Sequence, residues 1–172
     1  RGLGFSPDTD RRRMVRRAYF DLVGLPPPVE VVDRFVQDER PDASERLLDR
    51  LLASPQFGVR WGRHWLDIVG YTDTLTFDDD FGPPIGFIKG KWKYRDYVIR
   101  ALNKDKPYNR FIMEQLAGDE LVDVTSETII ATGFIRVGPW DAERGASVQP
   151  SEVVEELYNE LDDQLSTTSQ VF

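Results

Sequence analysis

The sequence predicts an all-α fold. Three observations carry that expectation. Apolar residues recur at spacings of three and four through most of the chain, cap-like residues followed by proline open segment after segment, and no convincing stretch alternates apolar with polar residues as a strand would. The 172 residues suit one domain with a core of useful size, 40% of them being hydrophobic and 12% aromatic. The expected architecture is a single domain, residues 1–172, of about eight helices with two long loops, near 72–89 and 138–149.

Ser6 as N-cap, Pro7 at the first helical position and acids in the first turn predict a first helix, with Met14, Val15, Ala18, Tyr19 and Leu22 as its apolar stripe and Gly24 ending it. Leu25-Pro26-Pro27-Pro28 is a rigid connector into a second helix, whose buried face is expected to be Val29, Val32, Phe35 and Val36. Pro41-Asp42 opens a third, with Leu47, Leu48, Leu51 and Leu52 turned inward. Ser54-Pro55 caps a fourth that runs through the aromatic stretch 57–73. Periodicity fails from Thr72 to Lys89, where Asp, Gly and Pro gather. Helical spacing resumes with Trp92, Tyr94, Val98, Ile99 and Leu102, then after Pro107 with Phe111, Ile112, Leu116 and Ala117 as far as Gly118. Thr125 or Ser126 caps a helix through Ile129, Ile130, Gly133 and Phe134. Pro150-Ser151 introduces a last, acidic helix with Val153, Val154, Leu157, Leu161 and Leu165 inside.

The stretch 57–73, FGVRWGRHWLDIVGYTD, holds two of the four tryptophans and the single histidine. Read as a helix, it puts Phe57, Trp61, Trp65 and Ile68 on one face, Arg60, His64, Asp67 and Tyr71 along its edge, and Val59 and Leu66 on the opposite side. Such a helix should be buried, and buried charges need partners. The expected network is Arg60, Asp67 and Tyr71 with Arg95 and Asp96 of the next helix and Asp119. His64 reads as a core histidine, or with Asp67 at i+3 as a pair able to ligate one ion. Asp73, Asp78, Asp80 and Glu143 are candidate ligand residues in the two loops, although three adjacent aspartates lack the spacing of a calcium loop. Neither a nucleophile elbow nor a phosphate loop nor a dinucleotide fingerprint is present.

A net charge of −8 argues against general nucleic-acid binding. The charge is uneven: Arg11, Arg12, Arg13, Arg16 and Arg17 make the first helix basic, and Glu152, Glu155, Glu156, Glu160, Asp162 and Asp163 make the last one acidic. These helices can attract one another or separate partners, and the basic run can touch a phosphate or sulfate polymer. Without cysteine, neither a disulfide nor covalent c-type haem attachment is possible within these residues. No membrane-spanning run and no signal peptide occur, and both ends read as cuts in a longer polypeptide.

Four segments carry a resemblance: RRRMVRRAYFDLVGLPPPVEVVDRFV, ERLLDRLLASPQFGVRWGRHWLDIVGY, KWKYRDYVIRALNKDKPYNRFIMEQLAGDEL and IIATGFIRV. They resemble the DUF1549 family, the planctomycete cytochrome C-like PSCyt2 domain of large, mostly exported bacterial proteins, over nearly the whole chain. The resemblance implies a periplasmic or otherwise exported setting and other domains of the same polypeptide as partners. Typical members run from a TTGTVFLGL-like stretch into a CxxCH haem-attachment motif, and Ser166 to Phe172 resembles the start of that stretch. It therefore implies a c-type haem in the full-length protein, none within this chain, and His64 as the one imidazole available as a second axial ligand. The functional expectation is a scaffold or binding module beside a haem-bearing segment, with a redox partner. The alternatives are a polysaccharide-binding or polysaccharide-processing module of the cell envelope, and a purely structural interaction domain.

Overall fold

A computed structural model describes residues 9–75, 86–87, 89–136 and 150–171. Those residues form eight α-helices: α1 Arg11–Leu22, α2 Val29–Gln37, α3 Ala43–Leu52, α4 Pro55–Ile68, α5 Trp92–Asn103, α6 Tyr108–Ala117, α7 Ser126–Ala131 and α8 Pro150–Val171. A 3-10 turn, Thr132–Arg136, follows α7. The all-α expectation holds. One addition lies in the expected loop at 72–89: β1 Thr74–Leu75 and β2 Gly86–Phe87 pair antiparallel, Thr74 opposite Phe87 and Leu75 opposite Gly86. Two residues a strand are too few to show alternation, so the pairing left no trace in the pattern. The other expected loop, 138–149, lies outside the described residues.

The chain divides into two compact units, residues 1–61 and 62–172, with the boundary inside α4. In the first, Val15, Val23, Phe35, Ala43, Leu47 and Leu51 form the core, each large apolar side chain contributing about 1.5–3 kcal/mol by leaving water. Leu48 and Leu52 of α3 and Val29 of α2 are exposed, against expectation. A helix packed on one side buries only a narrow stripe, and these residues fall beyond it. The start of α1 is also corrected. Asp10, not Ser6, is the N-cap, and its carboxylate accepts from Arg13 N–H at 2.9 Å.

Most of the basic run on α1 is engaged within this unit. Arg11 lies over the Phe35 ring at 4.6 Å and donates to the carbonyls of Phe35 and Asp38, capping the C-terminal end of α2. Arg12 pairs with Asp33, Arg13 with Asp10, and Arg16 stands over Phe20. Gly24, at φ +72°, turns the chain out of α1. A Cβ there would sit 2.8 Å from Cδ of Arg60, so the bare backbone makes the slot that the arginine stem occupies.

In the second unit Leu66, Val69, Tyr94, Tyr97, Val98, Ala101, Phe111, Ala131 and Phe134 form the core, with Trp65, Tyr71, Leu102, Ile130 and Val171 packed against it. Two Schellman turns shape it. The first ends α4: Tyr71 N–H reaches Leu66 O, Gly70 N–H reaches Asp67 O, and Gly70 takes φ +63°. The second ends α5: Lys106 N–H reaches Ala101 O, Asp105 N–H reaches Leu102 O, and Asp105 itself takes φ +48°. α7 opens on a capping box, Thr125 and Thr128 exchanging side-chain and backbone hydrogen bonds.

The face assignment of α4 is corrected in part: Trp65 packs on the core as expected, but Trp61 and Ile68 do not, and Val59 is exposed. Gly58, Gly62, Leu66 and Val69 are buried, while Trp61 is 43% and Ile68 63% exposed. The cause is close approach: a Cβ on Gly62 would stand 3.2 Å from Cγ1 of Ile99 on α5. The helix comes closest to α5 at Gly62 and leaves Trp61 and Ile68 outside. In α8, Leu161 and Leu165 are exposed and not turned inward as expected.

Candidate functional site

Two polar constellations lie in the second unit. The inner one was not legible in advance. α6 buries Phe111, Glu114 and Gln115, so a carboxylate and an amide stand on the face that should be apolar. Tyr97 of α5 donates to Glu114 Oε2 at 2.9 Å, Arg110 Nε donates to Oε1 at 2.8 Å, and Lys106 Nζ donates to Oε2. Lys106 arrives there because the Schellman turn after α5 folds the chain back, and its ammonium also lies 4.7 Å from the centre of the Tyr97 ring. Arg110 extends the cluster to Asp123 Oδ2 at 2.7 Å. Beside it, Trp65 Nε1 donates to Tyr94 Oη at 3.0 Å, Tyr94 donates to Gln115 Oε1 at 2.5 Å, and Gln115 Nε2 donates to Phe111 O at 3.2 Å.

Burial raises the carboxyl pKa of Glu114, but the hydrogen bonds from Lys106, Arg110 and Tyr97 outweigh it and hold the group below its usual range. Burial raises Tyr94 well above a free tyrosine, against a small opposing effect of the Trp65 N–H. Burial, then the bond to Glu114 and its charge, does the same for Tyr97. Both phenols remain proton donors. The rings of Tyr71, Tyr94, Tyr97, Phe111 and Trp65 follow one another at centroid separations of 6.1, 6.2, 5.8 and 4.9 Å. The missed signal was the spacing 111, 114, 115, 118 within FIMEQLAG, an i, i+3, i+4, i+7 row with charge and amide in its middle. Gly118 closes that row: a Cβ there would overlap the carbonyl oxygens of Thr128 and Glu114.

The outer constellation contains part of the expected network. Arg95 Nη1 donates to Asp73 Oδ2 at 2.8 Å, and its Nε and Nη2 reach Asp96 Oδ1 at 3.4 Å. These groups are half-buried, not sealed. Trp92, three residues before Arg95 on the same helix, is half-exposed. The Tyr71 hydroxyl is buried and has no hydrogen-bond partner among the described residues. Burial first, then the charges of Asp73 and Asp96 against that of Arg95, push its pKa up to about 12. Lys91 is lowered by burial, with Asp73 opposing.

The remaining expected members are elsewhere. Tyr71 lies past the end of α4, so the stripe Arg60–His64–Asp67–Tyr71 is not continuous along a helix. Asp67 is exposed and pairs with Arg63 at 3.8 Å, not with Arg60. Arg60 Nε is buried without a partner among the described residues. His64 is exposed and not a core histidine, and Asp119 is exposed and outside the network. Asp78, Asp80 and Glu143 lie outside the described residues. Among the described residues no group of three or more His, Cys, Asp or Glu side chains could hold a metal ion, and no helix is long and apolar enough to cross a membrane. The donor set does not fit a covalently attached c-type haem, since the sequence offers no cysteine and one histidine.

No curated protein and no solved structure matches the chain. The family model described as PSCyt2, protein of unknown function (DUF1549), matches residues 1–172. The chain therefore belongs to the PSCyt2 (DUF1549) family.

Proposed function

We propose that the chain is a non-catalytic scaffold and binding module of a larger exported protein, adjoining a haem-bearing segment of the same polypeptide. The observation that carries the module reading is the Glu114 cluster. The carboxylate most deeply buried among the described residues binds a tyrosine, a lysine and an arginine from α5, the α5–α6 turn and α6. Its charge is used to fix three segments together, as in a structural ion-pair centre, and is not held in reserve for a substrate. The haem belongs, in this reading, to residues other than these, and His64 is the one imidazole the chain can offer it. The test is expression of the complete natural polypeptide with and without residues 1–172. A Soret band in the complete protein whose position or potential changes on removal of the module supports the reading. A complete protein without a Soret band sinks its haem half, and turnover of any substrate by the isolated chain sinks its non-catalytic half.

A second reading rests on the outer constellation. A half-exposed indole beside planar, paired Arg and Asp groups suits the apolar face and vicinal hydroxyls of a sugar. Binding of soluble polysaccharides that is lost in Trp92→Ala would favour it, and an empty glycan array would count against it.

A further inference from the structure

Lys89, Lys91, Lys93 and Arg95 alternate with Gly90, Trp92 and Tyr94 as the chain enters α5, in the string KGKWKYR. Tyr94 is core, but the Trp92 indole is 48% exposed, and Lys89 and Lys93 are exposed as well. Arg95 and Asp96, at i+3 and i+4 from Trp92, lie next to it along the same helical face. Lys91 and Lys93, one position to either side, flank it round the helix. First-turn side chains lean toward the helix N-terminus, where Lys89 stands in the preceding turn. These cations are where a helix least favours them: α5 has no acid in its first turn and no side-chain cap, so the positive end of its dipole meets more positive charge. Asp73 and Asp96 are both engaged by Arg95, and Asp73 also acts on Lys91. Lys89 and Lys93 have no acidic partner among the described residues. The surface therefore has two zones, a centre of indole with paired Arg and Asp groups and a rim of ammonium groups.

We propose that this surface binds an acidic polysaccharide, one that carries carboxylate or sulfate groups on its sugar rings. The inference rests on the sugar reading of the same surface and adds the charge of the ligand. Placement selects the ligand as much as charge does. At the centre, the indole covers the apolar face of a ring, and oxygens of Asp73 and Asp96 accept from its hydroxyls. At the rim, Lys89 and Lys93 meet the acidic substituents. A neutral glycan would leave the rim unused. A nucleic acid can also stack on an indole, but it brings a phosphate with every unit, and the two carboxylates at the centre repel it.

The test uses the whole chain, two pairs of soluble polysaccharides and oligothymidylate. The pairs are polygalacturonate with its methyl ester and dextran sulfate with dextran, each an acidic polymer beside a neutral counterpart. In affinity electrophoresis at least one acidic polymer should retard the chain, the tighter of the two telling carboxylate from sulfate. That retardation should weaken as salt rises from about 0.05 to 0.5 M. The neutral counterpart should bind at least roughly tenfold more weakly. The double variant Lys89→Gln, Lys93→Gln, both at exposed positions and checked for helicity by circular dichroism, should lose at least roughly fivefold in affinity for the acidic polymer and show a flatter salt dependence. Neutral polymers that bind as tightly as the acidic ones overturn the inference and leave the sugar reading standing. Oligothymidylate binding as tight as that of the acidic polymers, or indifference to the double substitution, overturns it too. No binding of any of the four polysaccharides sinks the inference and the sugar reading together.

Discussion

The Tyr71 hydroxyl gave up water on folding and gained no hydrogen bond among the described residues, so its desolvation is uncompensated. Tyr71→Phe should therefore leave stability unchanged or raise it by up to about 1 kcal/mol, measured as the urea midpoint at constant slope. A clear loss would reveal a partner for the hydroxyl. Glu114 is the opposite case, a buried acceptor with three donors. Glu114→Gln leaves Lys106 and Arg110 facing an amide and should cost about 3 kcal/mol, in the range seen when one member of a buried pair is removed. Lys106→Met should then cost less in the Glu114→Gln background than in the wild type, because its charged partner is already gone.

Among the elements, α4 separates what the sequence could reveal from what it could not. Its existence, its Ser54-Pro55 start and its aromatic content were plain, because capping chemistry and periodicity are local. Its buried face was not, because apolar bulk pointed to Trp61 and Ile68 while close packing against Ile99 selected Gly62. Hydrophobicity ranks side chains by transfer energy, whereas a tight helix crossing is decided by the space a neighbour leaves. The same local–nonlocal divide explains the sites. Arg95 with Asp96 was foreseen as part of a network, Asp73 only as a candidate ligand residue of the loop, and Glu114 was missed because its partners come from three segments that only the fold assembles. Two substitutions test the packing. Gly62→Ala should be near neutral, helix propensity gaining about 1 kcal/mol against a tight contact with Ile99, while Gly62→Leu should lose about 1–3 kcal/mol. Gly118→Ala has a permissible helical φ yet meets two backbone carbonyls, so thermal melting should fall by the equivalent of at least about 2 kcal/mol. A Gly118→Ala protein as stable as the wild type would mean that α6 and α7 do not approach so closely.

For the whole molecule, acid is the condition that should expose the design. Folding lowers the carboxyl pKa values of Glu114 and Asp123, so near and below the ordinary range of such groups the unfolded chain binds more protons than the folded one. Stability is then fully present above about pH 4.5 and is lost as the pH falls through the lower, folded-state values. Denaturant midpoints measured from pH 7 down to about 3 should fall with acid in the wild type, and the Glu114→Gln protein should show a shallower fall from a lower start. Identical slopes would remove Glu114 from the acid response. The all-α class was legible at this scale because helix signals add along the chain; the division into two units was not, since a boundary inside a continuous helix breaks no local rule.

The Schellman turn after α5 has a chemical consequence of its own. It leaves Lys104 in solvent and folds Lys106, two residues on, beneath the Tyr97 ring and against Glu114, with 13% of its side chain accessible. The two amines should differ sharply toward an acylating reagent, Lys104 reacting as a free lysine and Lys106 slowly, with the ratio read by peptide mass spectrometry. In denaturant the ratio should collapse to near unity. This pair of neighbouring lysines is an internal gauge of whether the α5–α6 corner is closed, requiring no introduced probe.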